Sequence, residues 1–236
     1  MPDILLVPGS CHGAWCWRDL IPALAEQGHI ARAINLPLSG EDGSEVTLDD
    51  YADSILTDIE NHGGHPVVLL GHSAGGYAIT AAAERSPEKV AALFYLCAYV
   101  PEDGKSLADL RRAAAEQPVL ELIERAETPS AFRFKSDRGV EALCHDCPEE
   151  VSAFVRANLG PQPIAPQETP LTITDASLRI LRHYILCTKD RVIPPAEQRR
   201  MSASFSKEQV MALETGHAPY FAAPETVAAM ISTALA

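Results

Sequence analysis

One pentapeptide, Gly-His-Ser-Ala-Gly at residues 71–75, constrains this chain more than any other segment. Four apolar residues at 67–70 predict a buried strand before it, and small and apolar residues at 78–85 predict a helix after it. A serine between glycines at such a junction is typical of a nucleophile elbow, a tight turn that exposes the serine hydroxyl. The following helix directs its first N–H groups to the place where an oxyanion would form. We therefore predict that Ser73 is a nucleophile; the alternative is an N-cap serine without chemistry.

The alternation of strands and helices predicts an α/β protein with a mostly parallel central sheet flanked by helices. The predicted strands lie at 3–7, 29–34, 67–70, 90–97, 182–187 and 208–213, with a polar loop at 41–45. Between residues 101 and 176, prolines separate helix-like pieces, and no strong parallel strand is visible. The sequence therefore predicts one core formed by 1–100 and 177–236, with a helical cap inserted at 101–176.

The charge balance excludes several classes of partner. The chain of 236 residues has a formal net charge of −13, which opposes binding to nucleic acids and to anionic membrane surfaces. No segment has the pattern of a signal peptide, and no apolar run approaches the roughly 18 residues that a membrane helix needs. We expect a cytoplasmic protein that acts on a small molecule.

No cofactor or metal is predicted. The glycine-containing loop at 9–13 follows a strand, but it lacks the G-x-G-x-x-G spacing of dinucleotide-binding proteins. The Cys-His-Asp-Cys segment at 144–147 has the C-x-x-C spacing of metal and redox sites, but no second cysteine pair follows it. The six cysteines are therefore expected to be reduced thiols, mostly buried.

A serine nucleophile needs a histidine base and an acid that orients the base. In proteins with a nucleophile elbow these residues follow one another in the order Ser, Asp or Glu, His. His217 is the only histidine after the last predicted strand, and Asp190 comes just after the strand at 182–187. We predict a triad of Ser73, Asp190 and His217, with Asp103 as the alternative acid.

An oxyanion hole is expected beside the nucleophile. Its donors should be the backbone N–H of Ala74, directly after the nucleophile, and an N–H of the loop after the first strand, for which Ser10 is the best candidate. The Ser10 hydroxyl either adds a further contact or caps the turn. Gly9 and His72, which adjoin these groups in the sequence, are predicted to bind the substrate.

Four segments together resemble one known family. They are Val-Pro-Gly-Ser-Cys-His-Gly-Ala-Trp at 7–15, Gly-His-Ser-Ala-Gly-Gly at 71–76, Cys-Thr-Lys-Asp-Arg-Val-Ile-Pro at 187–194 and Gly-His at 216–217. They resemble the plant methylesterase and hydroxynitrile lyase branch of the α/β-hydrolase superfamily. The resemblance implies the α/β-hydrolase fold, with the cap after the sixth-strand position, and a homodimer. It also implies Ser73, Asp190 and His217 as the triad, with the N–H groups of Ser10 and Ala74 as oxyanion donors.

Two departures from the lyases of this branch bear on the reaction. Those lyases have a glutamate before the nucleophile and a lysine directly after the triad histidine, where this chain has His72 and Ala218. Without that cation, the departure of cyanide has no electrostatic support. We therefore predict a serine carboxylesterase for a small hydrophobic ester, such as an aromatic or a methyl ester. The alternatives are a hydroxynitrile lyase and a non-catalytic receptor for a small ligand on the same fold.

Overall fold

The computed structural model describes residues 2–40, 44–128 and 130–236, so positions 41–43 of the predicted polar loop lie outside the described residues. Within these ranges the strands are β1 Ile4–Val7, β2 Ala31–Ala33, β3 Val67–His72, β4 Val90–Leu96, β5 Ile123–Arg125, β6 Ala131–Phe134, β7 Gln162–Pro163, β8 Leu181–Cys187 and β9 Val210–Leu213. The α-helices are α1 Leu20–Glu26, α2 Leu48–Asn61, α3 Gly75–Arg85, α4 Leu107–Ala113, α5 Val119–Leu122, α6 Ser136–Cys144, α7 Glu149–Asn158, α8 Ala165–Glu168, α9 Asp175–Leu178, α10 Pro195–Met201, α11 Pro219–Ala222 and α12 Pro224–Leu235.

The central sheet is parallel throughout its described strands. Its strand order is β2-β1-β3-β4-β8-β9, so the chain starts one strand from an edge, adds that edge strand and then builds outward to the opposite edge. Parallel neighbours require a crossover connection, and helices supply most of these crossovers. The predicted α/β class is confirmed, and each of the six predicted strands corresponds to one strand of this sheet.

The two faces of the sheet bury two separate hydrophobic clusters. Along β1, Ile4 and Leu6 belong to one cluster, whereas Leu5 and Val7 belong to the other. Helices α1 and α12 pack together on the first face, and α2 and α3 pack together on the second. Because successive side chains of a strand point to opposite faces, a strand covered on both sides is apolar at every position. None of the described helices has the length and apolarity that crossing a membrane would require.

The segment at 101–176 differs from the prediction of a helical cap. It contains helices α4 to α9, but β5, β6 and β7 also form a small antiparallel sheet within it. In β6, Phe132 and Phe134 are buried on either side of the exposed Arg133, which is the alternation of a strand with one solvated face. Strands of two to four residues are too short for this alternation to stand out in the sequence. The domain boundaries themselves stay a prediction.

We predict that Gly76→Ala destabilises the protein by about 2–3 kcal/mol, the range of overpacking in a close-packed interior. A Cβ at Gly76, in the first turn of α3, would overlap the carbonyl oxygen of Tyr99. The measurement is the free energy of unfolding in urea. Gly160→Ala is the matched control, because a Cβ there would meet nothing within 4 Å. Equal stability of the two variants would contradict the prediction.

Candidate active site

All the candidate catalytic residues lie at the carboxyl edge of the central sheet. Ser10 follows β1, Ser73 follows β3, Asp190 follows β8 and His217 follows β9. Since the sheet is parallel, the loops after these strands meet at one edge, where α/β proteins usually bind their ligands. Residues up to 207 positions apart in the sequence, counting from Ser10 to His217, are thus brought to one region.

Ser73 occupies a strained turn between β3 and α3. Its φ is 52°, in the left-handed region, which costs a non-glycine residue roughly 1–3 kcal/mol. The turn has no space for side chains on either side. A Cβ at Gly71 would lie 2.7 Å from the carbonyl oxygen of Gly75, and a Cβ at Gly75 would lie 2.8 Å from the carbonyl oxygens of Val7 and Pro8. The glycines of the pentapeptide therefore permit the close approach that holds Ser73 in this conformation.

Strained backbone is concentrated at this edge of the sheet. Among the described non-glycine residues, those with positive φ are Cys11, Ser73 and Cys97, with φ of 65°, 52° and 37°. They lie in the loops after β1, β3 and β4, respectively. Burial raises the pKa of the Cys11 thiol to about 12 and that of Cys97 well above its usual value, so neither thiol is a nucleophile at neutral pH.

Asp190 and His217 form a buried hydrogen-bonded pair. The Nδ1–H of His217 donates to Oδ2 of Asp190 over 2.7 Å, and the two residues are only 1% and 5% exposed. With its Nδ1 proton engaged by the carboxylate, a neutral imidazole presents an unprotonated Nε2 as hydrogen-bond acceptor. The pair therefore has the tautomer that a general base for a hydroxyl group requires.

The Asp190 carboxylate is held by three further hydrogen bonds. Its Oδ1 accepts from the backbone N–H groups of Val192 and Ile193 over 2.7 and 2.9 Å, and its Oδ2 accepts from Nε2 of Gln198 over 2.8 Å. Hydrogen bonds to the ionised form stabilise a carboxylate that would otherwise be costly to bury. The alternative acid, Asp103, lies elsewhere and accepts from the backbone N–H of Ile173.

No hydrogen bond joins the Ser73 hydroxyl to the His217 imidazole in the part of the chain that the structure describes. The two residues nevertheless share a neighbour: His72 directly precedes Ser73, and its ring centroid lies 4.7 Å from that of His217. Catalytic hydrogen bonds are often long before a substrate is bound and become short only in the complex. Ser73, His217 and Asp190 are thus grouped at the sheet edge, but the hydrogen bond between Ser73 and His217 is not formed.

His72 is predicted from the sequence to bind the substrate, whereas the structure buries its side chain in the interior. The residue has no exposed surface, and its Nε2–H donates to the backbone carbonyl of His217 over 2.9 Å. The rings of Tyr220 and Trp17 pack against it with centroid distances of 4.9 and 6.3 Å. Through this hydrogen bond, His72 holds the loop that carries His217. Its burial and the nearby histidines hold its pKa well below the ordinary value, so it is neutral.

Two backbone donors are free at the predicted oxyanion hole. The N–H groups of Ser10 and Ala74 donate to no residue that the structure describes, although both lie beside the elbow. Gly9 permits this arrangement, because a Cβ there would lie 2.8 Å from both His72 Nδ1 and Ser73 Cβ. Both residues are partly buried, and unpaired N–H groups beside a nucleophile are suited to an anionic intermediate.

Two glutamines of the 101–176 segment hold the loop after β1. Gln162 accepts a hydrogen bond from the Cys11 N–H over 3.2 Å and donates to the Tyr51 hydroxyl over 3.0 Å. Gln167 donates through Nε2 to the Ser10 hydroxyl oxygen over 2.7 Å, which leaves the hydroxyl proton of Ser10 free to point elsewhere. Neither residue could be predicted from the sequence, because isolated glutamines near prolines carry no local signal.

The two residues between the cysteines of the C-x-x-C segment bind the loops that carry the predicted acid and base. The Nε2–H of His145 donates to the carbonyl of Lys189 over 2.9 Å, and Oδ2 of Asp146 accepts from the N–H of Gly216 over 2.6 Å. Lys189 and Gly216 directly precede the predicted acid and base. The two residues between the cysteines therefore connect the inserted segment to both loops, and the cysteines around them are free thiols.

One group of three potential metal ligands occurs among the described residues. Ligand atoms of His72, Cys97 and His217 lie within 4.8 Å of one another. Nε2 of His72 and Sγ of Cys97 are both directed to the carbonyl oxygen of His217, and Nδ1 of His217 is bonded to Asp190. Each of the three side chains thus already has a hydrogen-bonding role within the protein, and we assign no metal to the group.

Two small cavities adjoin Ser10 in the described part of the chain. A cavity of about 20 Å³ is lined by Ser10, Ser73 and Gln167 together with mainly apolar side chains. A second cavity of about 10 Å³ is lined by Ser10, Gly9 and Ala74 among others. A volume of this size holds about one water molecule. The described conformation is therefore closed to an ester-sized ligand.

Comparison with known proteins identifies the superfamily. The family model described as the alpha/beta hydrolase family matches residues 4–230. The chain belongs to this family. Methylesterase 1 of Arabidopsis thaliana is 30% identical over 94% of this chain and 91% of its own length, and Methylesterase 3 of the same plant is 28% identical over 97% and 94%. Among solved structures, a pyrethroid hydrolase from Sphingobium faniae is similar with a TM-score of 0.83 at 28% identity, covering 100% of this chain and 98% of that one.

These findings confirm three expectations at the level of the family. The resemblance to the plant methylesterases, the α/β-hydrolase fold and the enzyme class, a hydrolase of carboxylic esters, all agree with the relatives. The comparisons concern the family only, and the roles of individual residues rest on the geometry of the site.

We predict that the free energy of unfolding of this α/β hydrolase falls at acidic pH, because its buried histidines are neutral in the folded state. Burial lowers the pKa of His12 to about 4 and that of His72 well below its ordinary value of 6.5. The unfolded chain binds protons at these sites below pH 6.5 while the native protein does not, so stability is lost as the pH falls from 6.5 toward 4. Each site contributes up to about 1.4 kcal/mol per pH unit. Urea unfolding at pH 7.5, 6.5 and 5.5 measures this slope.

The matched variant for this prediction is His72→Gln. Glutamine keeps an N–H donor for the His217 carbonyl but does not titrate. The variant should therefore lose less free energy of unfolding than the wild type between pH 6.5 and 5.5. Identical slopes in the two proteins would show that His72 does not contribute to the pH dependence.

We predict that Asp146→Ala slows esterase turnover by about 3- to 10-fold, because the loop of His217 loses its charge-assisted hydrogen bond at Gly216. Asp146→Asn retains an acceptor and should recover most of the rate. Asp137→Ala is the control, because Asp137 belongs to the same segment but is 90% exposed. The measurement is kcat on a short p-nitrophenyl ester. Equal rates for Asp146→Ala and Asp137→Ala would contradict the prediction.

Proposed function

We propose that the protein is a serine carboxylesterase that cleaves a small, largely hydrophobic ester through an acyl-enzyme. One observation carries the proposal: a buried Asp190–His217 pair, with Nδ1–H donating to the carboxylate, lies at the same sheet edge as a serine in a strained elbow. Burial strengthens the hydrogen bond to the carboxylate, and the strained turn presents the Ser73 hydroxyl to an incoming carbonyl group.

In the proposed first step, the Ser73 oxygen attacks the ester carbonyl while Nε2 of His217 accepts the hydroxyl proton. The imidazolium that forms is stabilised by Asp190, which stays ionised. The N–H groups of Ser10 and Ala74 stabilise the oxyanion; loss of one such donor typically costs a factor of about 10²–10³ in rate. The intermediate then collapses, and the imidazolium protonates the departing alkoxide, which leaves as the alcohol.

In the proposed second step, His217 removes a proton from water, and the resulting hydroxide attacks the acyl group on Ser73. The same two N–H groups receive the second oxyanion. Collapse of this intermediate breaks the bond to the Ser73 oxygen, and the imidazolium returns the proton to that oxygen. The products are a carboxylic acid and the free enzyme. No metal or organic cofactor takes part in either proposed step.

The lining of the cavity supports a hydrophobic substrate. Beside Ser73 it includes the apolar side chains of Leu107, Val119, Phe132, Phe134, Val192 and Ile193. The first four of these belong to the 101–176 segment, so that segment forms most of the apolar wall of the cavity. The plant relatives are named methylesterases and the solved neighbour a pyrethroid hydrolase, which is consistent with esters of hydrophobic groups. A homodimer stays a prediction.

The residue after the base argues against a hydroxynitrile lyase. Ala218 is buried, with 1% of its surface exposed, and provides no cation to the site. A cyanide leaving group would therefore have no electrostatic partner at this position. A non-catalytic receptor would have no use for the costly burial of the Asp190 carboxylate or for the strain at Ser73.

We predict that Ser73→Ala lowers kcat on p-nitrophenyl butyrate by at least about 10⁴-fold, because the nucleophile is removed. Wild-type protein should also become covalently labelled by a fluorophosphonate, with the adduct found on Ser73 by mass spectrometry. Ser152→Ala, which changes a serine in α7 far along the chain, is the control and should keep the wild-type rate and labelling.

The outcomes separate the alternatives. Hydrolysis and labelling that Ser73→Ala abolishes support the esterase. Release of cyanide from mandelonitrile at rates well above background, without hydrolysis of esters, would support the lyase. Tight binding of a ligand with neither labelling nor turnover would support a receptor.

A further inference from the structure

One cation lines the cavity beside the candidate nucleophile, and it belongs to the inserted segment. Arg111, in the last turn of α4, shares the cavity with Ser73, Ser10 and Gln167. Most of the other lining side chains are apolar. A charged group in such a place has little access to water, so it is costly unless it has a partner.

Arg111 has no ionic partner within the described ranges of the chain. Neither a salt bridge nor a hydrogen bond joins its guanidinium to a described residue, and no aromatic ring stacks on it. Glu168 attracts Arg111 only at longer range, which offsets in part the lowering of the Arg111 pKa by burial. The direct ion pairs are made by the neighbouring Arg112, at 3.0 Å from Asp109 and 3.5 Å from Glu168. The two adjacent arginines thus differ: one is exposed and paired, and the other faces the cavity unpaired.

The surroundings of Arg111 are those of a desolvated charge. Burial lowers the pKa of its guanidinium from the ordinary value, but an arginine remains protonated throughout the range in which proteins are stable. Tyr99 lines the same cavity, and its hydroxyl also forms no hydrogen bond with a described residue. Burial raises the pKa of this phenol to about 12, so it stays a neutral donor. A cation and a hydroxyl donor are therefore both available at one wall of the cavity.

We propose that Arg111, assisted by the Tyr99 hydroxyl, binds a carboxylate on the substrate, so that the preferred substrate is an ester that also carries an anionic group. This inference rests on the proposed esterase function and narrows its substrate class. A guanidinium donates two parallel hydrogen bonds to a carboxylate, which gives orientation as well as affinity. The apolar part of the substrate would contact Phe132, Phe134 and Leu107, while its carboxylate takes the position that no acidic side chain of the described chain fills.

The net negative charge of the protein does not contradict the binding of an anionic substrate. The net charge of −13 disfavours the approach of anions at long range, but salt screens it beyond about 8 Å at physiological ionic strength. Inside the cavity the nearest unpaired charge is positive. Arg111 therefore favours an anionic ligand over a neutral one once the ligand has reached the cavity.

The test compares charged and neutral esters of the same shape. One series consists of methyl half-esters of dicarboxylic acids from succinate to suberate, with the terminal carboxamides as neutral counterparts. A second series consists of acetyl esters of hydroxycarboxylic acids, again with their carboxamides, which places the anion on the alcohol side. Initial rates by pH-stat at pH 7 give kcat and KM for each pair.

In the wild type we expect the carboxylate member of the best pair to have a kcat/KM about 10- to 100-fold above its carboxamide, the effect of a charge-assisted hydrogen bond away from water. The difference should lie mainly in KM, because the anion is remote from the reacting carbonyl. In Arg111→Met the ratio should fall toward one. Arg111→Lys should recover part of it, since an ammonium keeps the charge but not the bidentate geometry.

Arg112→Met is the matched control and should keep the wild-type ratio, because its side chain is exposed and paired outside the cavity. Free adipate or glutarate should also slow fluorophosphonate labelling of the wild type more than that of Arg111→Met. Labelling on Ser73 in every variant shows that the catalytic groups are assembled.

Three outcomes are informative. A carboxylate preference that depends on Arg111 supports the proposal. Wild-type protein that is labelled on Ser73 but hydrolyses carboxamides at least as well as carboxylates in both series overturns anion recognition and leaves the esterase intact. Absence of labelling and of turnover on all esters overturns the esterase and this inference with it.

Discussion

The close approach of backbone around the elbow is the constraint on which the rest of the site depends. At Gly71, Gly75 and Gly76 there is no room for a Cβ, so α3 lies directly against the loops after β1 and β4. This contact fixes the strained conformation of Ser73 and, at the same time, its position relative to the Ser10 and Ala74 N–H groups. Because packed interiors resist small displacements, one rigid contact sets the geometry of nucleophile and oxyanion hole together.

The buried side chains next to His217 differ in charge. Asp190 carries its charge within a set of hydrogen bonds from Gln198 and two backbone N–H groups, while burial keeps His72 and His12 neutral. A second cation beside His217 would oppose its protonation during catalysis. The neutral histidines therefore serve as hydrogen-bond donors to carbonyl groups, and the acid has a single cationic partner when the base accepts a proton.

Local signals in the sequence were sufficient to predict the sheet, and they also placed the three residues of the candidate triad at its carboxyl edge, because each of these features lies within a short segment. The elbow is one pentapeptide, and Asp190 and His217 each follow an apolar strand. The contacts made by Gln167 and by His145 and Asp146 join residues 157, 44 and 70 positions apart, which no local pattern can indicate. The short strands of the inserted segment were missed for the same reason, since they pair only in the folded chain. His72 was assigned to the wrong environment because sequence adjacency to Ser73 does not reveal on which side of the turn a side chain lies.

The attachment of the inserted segment to the catalytic loops has a consequence for how such enzymes can diversify. Four of its side chains bind the loops after β1, β8 and β9: Gln162, Gln167, His145 and Asp146. Segments of this kind are usually regarded as interchangeable parts that alter specificity while the core remains the same. Here a transplanted segment would have to reproduce these four anchors, whatever pocket it brought. New specificity is therefore more accessible through single replacements in its lining than through exchange of the whole segment.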